Sequence, residues 1–149
     1  MEIKFVTADF SVADQVTGDD LVALKNAGFG TVICNRPDAE APEQPTAGTL
    51  AEQARSLGLN WYWLPITPGQ FTEANVSEFK QLLKSSDEPV LAFCRTGTRS
   101  ITLWALSQAA EVSSEQLLHK ATAAGYDLSK LAPTLDERMI NNNESKLVR

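Results

Sequence analysis

Residues 94–100 have the composition of a site that holds a negatively charged sulfur together with an anion. They read Cys-Arg-Thr-Gly-Thr-Arg-Ser, follow the apolar run 90–93 and precede a stretch with helical character. The backbone N–H groups of a tight loop and of a helix's first turn have no intrahelical partner, so they attract anions. Gly97 allows the close backbone approach that such a loop needs. Arg95 and Arg99 add positive charge in a geometry suited to oxyanions.

This pattern predicts that Cys94 is the catalytic nucleophile and is largely thiolate at neutral pH. The alternative is a buried structural cysteine beside an ordinary basic loop, which rarely combines two arginines, a glycine and a helix start. The remaining residues of the segment are the predicted substrate-binding residues: Arg95, Thr96, Gly97, Thr98, Arg99 and Ser100.

The composition limits the function classes. A chain of 149 residues is predicted to form one domain over 1–149, with a tail that frays from about residue 141. Its net charge of −6 disfavours nucleic acids and anionic membranes as partners, so the basic loop favours a small anion. Two cysteines in dissimilar surroundings suggest reduced thiols and a cytoplasmic setting. No apolar run is long enough to cross a bilayer, and the first residues do not resemble a signal peptide.

The rest of the chain reads as strands that alternate with helices. Apolar runs bounded by turn residues predict strands at 31–34, 61–64 and 90–93. A loop is predicted over 36–48, and the three tryptophans are expected to pack in the core. The order predicts an α/β fold with a mainly parallel sheet and helices on both faces. N-terminal caps of helices are predicted at Thr17, Thr72 and Ser113 or Ser114, and helices are predicted to end at Gly28, Gly58 and Gly125. Further helices are predicted to begin at Leu50, Ile101 and Leu135.

The carboxyl ends of parallel strands meet at one edge of a sheet, where ligands bind. We therefore expect the segments 35–38 and 65–70 to share one crevice with the Cys94 loop. Arg36 and Asp38 are candidate residues of its rim, although Arg36 fits equally well as a structural partner of Asp38 or Glu40. Cys34 is interpreted as core packing rather than as a resolving thiol.

Longer motifs resemble the phosphatase-like domain of the beta-lactamase-hydrolase-like family. They are Val-Ile-Cys-Asn-Arg-Pro-Asp-Ala-Glu at 32–40, Phe-Cys-Arg-Thr-Gly-Thr-Arg-Ser at 93–100 and Ala-Gly-Tyr-Asp-Leu at 124–128. The resemblance covers roughly residues 3–132 and implies a fold like that of dual-specificity cysteine phosphatases. Some members resemble sulfurtransferases fused to a metal-dependent persulfide-oxidising domain, and the sequence leaves open whether this protein acts alone or with a separate persulfide-oxidising enzyme as a partner.

Two related groups of enzymes differ in the length of this loop. Phosphatases have Cys-x5-Arg and rhodanese sulfurtransferases commonly have Cys-x4-Arg, the spacing found here, where Ser100 occupies the phosphatase arginine position. Phosphatases usually also carry an aspartic acid in the loop that corresponds to 65–72, which has no carboxylate. Asp38 or Glu40 could substitute for that acid.

The leading hypothesis is a sulfurtransferase that moves a sulfane sulfur from thiosulfate or a low-molecular-weight persulfide to a thiol acceptor. Cys94 would carry the sulfur as a persulfide, and the thiolate or sulfite that leaves needs little protonation. The alternatives are a cysteine-dependent phosphatase, acting through a phosphocysteine on Cys94, and a non-catalytic anion-binding module. No cofactor or metal is expected, because His119, the one histidine, has no second ligand near it in sequence.

Overall fold

A mainly parallel sheet forms the centre of the protein. The computed structural model describes residues 1–147, with side chains described through residue 142. Within them the sheet has five strands in the order β1-β2-β5-β3-β4. Strands β2, β5, β3 and β4 run parallel, and β1 is antiparallel to β2. The strands are β1 (Ile3–Phe5), β2 (Phe10–Ala13), β3 (Thr31–Cys34), β4 (Asn60–Trp63) and β5 (Val90–Phe93).

Helices cover both faces of this sheet, as predicted. Alternate residues of β5 belong to two separate hydrophobic cores, one on each face of the sheet. Val90 and Ala92 pack in one core, and Leu91 and Phe93 pack in the other. A strand buried on both faces reads as a continuous apolar run, which is why the sequence identified it. The helices are α1 (Gly18–Asn26), α2 (Ala47–Ser56), α3 (Glu73–Ser85), α4 (Thr98–Gln108), α5 (Ser114–Ala123) and α6 (Ala132–Leu147).

Local side-chain chemistry sets most helix ends. Thr17 Oγ1 accepts from Asp20 N at 3.3 Å, and Asp20 Oδ2 accepts from Thr17 N at 2.9 Å. This reciprocal capping box begins α1, and Gly28 follows the helix with φ +97°. Thr72 and Ser113 cap α3 and α5 as predicted. The observed helices α2, α4 and α6 each begin three residues earlier than the sequence predicts.

The N-terminal strands were not predicted. Strand β1 has three residues and β2 has four, and β2 contains a buried serine, Ser11. Runs this short carry almost no periodicity, so pairing determines that they are strands. Strand β2 pairs with β5, whose partner residues lie 80 positions later in the chain, and β1 pairs with β2. The tryptophan expectation was also wrong in part: Trp104 is buried, whereas Trp63 is 46 % exposed on the edge strand β4.

The last helix continues past the predicted start of the frayed tail. Helix α6 extends through residue 141 to Leu147, so fraying of this end stays a prediction, and residues 148–149 lie outside the described part of the chain. None of the helices described here is both long enough and apolar enough to cross a bilayer.

Candidate active site

The Cys94 loop encloses the sulfur at the N-terminus of α4. Cys94 follows β5 directly, and its N–H donates to Ala13 O at 3.4 Å. Three residues later the chain reverses at Gly97, which has a left-handed backbone with φ +90°. The Gly97 N–H then donates to Cys94 Sγ at 3.1 Å, and the cysteine is fully buried in this conformation. The sulfur therefore sits where backbone N–H groups and the positive end of a helix favour negative charge.

Glycine is required at position 97 for two reasons. A side chain rarely adopts a φ of +90°, and a Cβ built there would lie 2.2 Å from Tyr126 Oη. The same Cβ would also lie 3.4 Å from Ala13 O. The loop is thus packed tightly from outside, and this packing fixes the direction of the Gly97 N–H.

Arg99 is held beside the sulfur by a carboxylate. Its Nη1 and Nη2 donate to the two carboxylate oxygens of Glu40 at 2.8 and 2.9 Å, and Nη1 also donates to Ile66 O at 3.0 Å. Hydrogen bonding to Glu40 raises the pKa of Arg99, and the neighbouring Cys94 sulfur adds to the rise. Nη2 carries two hydrogens, and these bonds leave the one on the side of Nε unused, together with the Nε hydrogen. That edge of the guanidinium can bind an anion in the bidentate manner typical of arginine.

Arg36 and Asp38, the predicted rim residues, have structural partners. Buried Arg36 donates from Nε to Glu40 Oε1 at 2.9 Å and from Nη1 to Gln15 Oε1 at 2.9 Å. Asp38 Oδ1 accepts from Ala47 N at 2.8 Å, at the start of α2. Between the two roles left open for Arg36, these contacts favour the structural one. Asp38 satisfies one N–H of a helix end, and its place on the crevice rim stays a prediction.

The three segments expected to share a crevice do contact one another. Buried Asn35 links them: its Nδ2 donates to Leu64 O at 3.0 Å, and its Oδ1 accepts from Ser100 Oγ at 2.8 Å. Ile66 N in turn donates to Asn35 O at 3.0 Å. The buried Ser100 hydroxyl supports the loop from behind, and substrate binding through the Ser100 backbone N–H stays a prediction. Asn35 itself was missed as a site residue, because nothing in a single asparagine after a strand indicates partners 29 and 65 residues away.

The other predicted binding residues lie on the outside of the loop. Arg95, Thr96 and Thr98 are exposed, and the two threonine hydroxyls are 3.0 Å apart. Arg95 and Thr96 border a hollow of about 270 Å³ on the side of β1 and β2. Arg95 therefore lies on the outside of the loop, and its role in substrate binding stays a prediction. The other residues that line this hollow are Glu2, Lys4, Asp14 and Tyr126.

Cys34 has the properties of a packed thiol. It is buried, its Sγ donates to Arg36 O at 3.5 Å, and burial raises its pKa to about 12. A thiol with that pKa is protonated at neutral pH and is a poor nucleophile. The contacts agree with core packing.

The acidic groups around the site are committed to cations or to a backbone amide. Hydrogen bonding to Arg99, assisted by Arg36, lowers the pKa of Glu40. Glu73, the first carboxylate after the segment 65–72, binds Arg138 through a contact of 2.6 Å, which lowers its pKa as well. Ionised carboxylates cannot donate a proton. Among the described residues, no group of three His, Cys, Asp or Glu side chains is arranged to hold a metal ion.

Comparison with known proteins agrees with the fold of this chain. A structure of a candidate phosphatase from Neisseria meningitidis Z2491 is 31% identical, has a TM-score of 0.82 and covers 93% of this chain and 99% of its own. The structure of PTPMT1 is 14% identical, has a TM-score of 0.72 and covers 99% of this chain and 100% of its own, so it shows the shared fold.

A curated relative, the beta-lactamase hydrolase-like protein of Xylella fastidiosa (strain 9a5c), is 29% identical over 144 residues, or 94% of this chain. The chain spans about a third of the length of the curated relatives that it matches. Residues 2–111 match the family described as beta-lactamase hydrolase-like protein, phosphatase-like domain. The chain therefore belongs to that family and has the α/β fold of the tyrosine and dual-specificity phosphatases.

Proposed function

We propose that this chain is a cysteine-dependent phosphatase acting on phosphate esters or anhydrides whose leaving group is a stable anion. The observation that carries the proposal is the enclosed Cys94 sulfur, which accepts the Gly97 N–H at 3.1 Å beside the ion-paired Arg99. The family and the phosphatase structures of the same fold support it. This reverses the order of the two leading hypotheses drawn from the sequence.

The proposed reaction has two displacements at phosphorus. The Cys94 thiolate attacks, an S–P bond forms, and the P–O bond to the leaving group breaks. Water then attacks the phosphocysteine, the S–P bond breaks, and inorganic phosphate and the thiolate are released. The loop N–H groups and the Nε–Nη2 edge of Arg99 stabilise the charge that develops on the phosphoryl oxygens.

The substrate class follows from the partners of the described carboxylates near the site. Glu40 and Glu73 are ion-paired, Glu2 is ion-paired with Lys4, and Asp38 and Asp14 each accept a backbone N–H. A general acid contributes about 10²–10⁴ in rate when the leaving oxygen needs a proton. Without one, phenolates and phosphates leave far more readily than alkoxides, so aryl phosphates are better candidate substrates than alkyl phosphates.

A series of aryl phosphates with leaving groups of increasing basicity tests this proposal. We expect phosphate release that falls steeply along the series and that is abolished in Cys94→Ser. Arg99→Lys should lower kcat/KM about 10- to 100-fold, because lysine cannot bind an oxyanion in the bidentate manner. Absence of phosphate release from every ester would refute the proposal. If Cys94→Ser releases phosphate as well as wild type does, the cysteine is not the nucleophile.

Sulfur transfer is the second candidate, and the size of the loop favours it. Four residues separate Cys94 from Arg99, which is the shorter spacing typical of the rhodanese sulfurtransferases, and the Cys94 side chain is fully buried. This reaction also needs no general acid. Incubation with thiosulfate or glutathione persulfide, followed by mass spectrometry, should then show one added sulfur on Cys94. Phosphate release without sulfur loading would exclude this candidate.

A further inference from the structure

One peptide group of the loop is hydrogen-bonded on both sides. Tyr126 Oη donates to Thr96 O at 2.8 Å, and the Gly97 N–H donates to Cys94 Sγ at 3.1 Å. The Thr96 carbonyl and the Gly97 N–H belong to the same planar unit. A tyrosine that follows α5 is therefore connected to the reactive sulfur through a single peptide plane.

This connection constrains both the direction and the strength of the inner hydrogen bond. In a planar trans peptide the C=O and N–H point in opposite directions, so fixing the oxygen fixes the N–H. A hydrogen bond to the carbonyl also polarises the amide and makes its N–H a better donor. Both effects stabilise negative charge on the sulfur that accepts this N–H.

We propose that Tyr126 is a positioning residue that aims the Gly97 N–H at Cys94 and so stabilises the thiolate. The inference rests on the proposed role of Cys94 as a nucleophile, which the phosphatase and sulfurtransferase mechanisms share. Sequence reasoning missed this role, because the tyrosine lies 30 residues from the carbonyl that it binds.

The surroundings of Tyr126 suit a permanent donor. Burial raises the pKa of its hydroxyl, and the charges of Cys94, Asp14 and Glu2 raise it further. The phenol therefore stays protonated at neutral pH and keeps donating. Lys4 and Arg95 are the cationic residues of the hollow that Tyr126 borders, and Arg99 approaches the sulfur from the Glu40 side.

Substitution Tyr126→Phe removes one oxygen and keeps the ring. The fraction of thiolate is measured by its ultraviolet absorbance as a function of pH, with Cys94→Ser as the blank. Cys34 does not interfere near neutral pH, because its pKa is raised to about 12. We expect the ratio of thiolate to thiol at neutral pH to fall about two- to tenfold in Tyr126→Phe. Tyr62→Phe, which alters an exposed tyrosine of β4, is the matched control and should leave the ratio unchanged.

A second measurement keeps the inference testable if the variant loses stability. Hydrogen exchange at the Gly97 amide should accelerate in Tyr126→Phe relative to amides of β5 in the same molecule. An unchanged thiolate ratio, or an unchanged relative exchange rate at Gly97, would overturn the positioning role. Neither readout needs turnover, so an absence of phosphate release would refute the proposed function and leave this inference standing.

Discussion

Glu40 binds two buried guanidinium groups at the site. Its oxygens accept from Arg36 Nε at 2.9 Å and from Arg99 Nη1 and Nη2 at 2.8 and 2.9 Å. Arg36 is 5% exposed and Arg99 is 9% exposed, so water cannot replace Glu40 as their partner unless the side chains change position. Substitution Glu40→Gln keeps the shape of the side chain and removes the charge between them.

The magnitude of the effect follows from which contacts glutamine can keep. Its single amide oxygen can replace Oε1, which accepts from both Arg36 Nε and Arg99 Nη2. Its NH₂ group then faces Arg99 Nη1, so a donor opposes a donor. One charge-assisted hydrogen bond is lost, worth about 1.5–3 kcal/mol, and two cations lose their counter-charge. We expect a loss of about 2–4 kcal/mol in the free energy of unfolding. This is less than for a fully buried pair, because the Glu40 side chain is 21% exposed and water screens it.

Chemical and thermal unfolding measure this loss directly. For a chain of this size, 2–4 kcal/mol corresponds to a fall in Tm of roughly 4–15 °C. Glu43→Gln is the matched control, because Glu43 is exposed in the same loop and should change stability by less than about 0.5 kcal/mol. Arg99 also loses its fixed orientation in Glu40→Gln, so KM for an aryl phosphate should rise. If the two variants unfold alike, the Glu40 ion pairs contribute nothing and this reasoning is wrong.

Three further predictions follow from single observations. The lowered pKa of Glu40 means that its stabilisation is complete above the ordinary value of 4.5 and is lost as the pH falls through the lower folded value. The difference in unfolding free energy between wild type and Glu40→Gln should thus vanish at acid pH; a constant difference would contradict this. Gly97→Ala should destabilise more than Gly28→Ala, because both positions have positive φ but only Gly97 also meets Tyr126 Oη. The comparison of Tm values tests it, and equal losses would show that the contact is harmless. Cys34 should resist alkylation at about pH 8 until the protein unfolds, because burial raises its pKa to about 12; mass spectrometry of the folded protein would reveal any early modification.

The sequence was informative where the determining interactions are local. The spacing of Cys94, Gly97 and Arg99 predicts an anion-binding loop because those residues shape one turn of chain. The capping box of α1 was equally predictable, since Thr17 and Asp20 bind each other's backbone across three residues. Both features require only neighbours in sequence.

Long-range partners set the remaining features. The ion pair between Glu40 and Arg99 joins residues 59 positions apart, and without coordinates Glu40 remained a candidate general acid. Asp38 was equally open as an acid until its contact with the α2 backbone was known. Residue types alone cannot distinguish a proton donor from the counter-ion of a buried arginine, because the difference lies in which cation the carboxylate meets.

The loop is supported from two sides by interactions of different kinds, and this bears on its chemistry. On the side of β3, ionised Glu40 fixes Arg99 and responds to pH. On the side of β2, neutral Tyr126 fixes the Thr96–Gly97 peptide and is insensitive to pH near neutrality. In the proposed mechanism a group with full charge would bind the substrate's oxyanion, while a backbone dipole would stabilise the nucleophile. Because neither support supplies a proton, that mechanism favours substrates whose leaving group departs as an anion, a restriction that the fold alone does not impose.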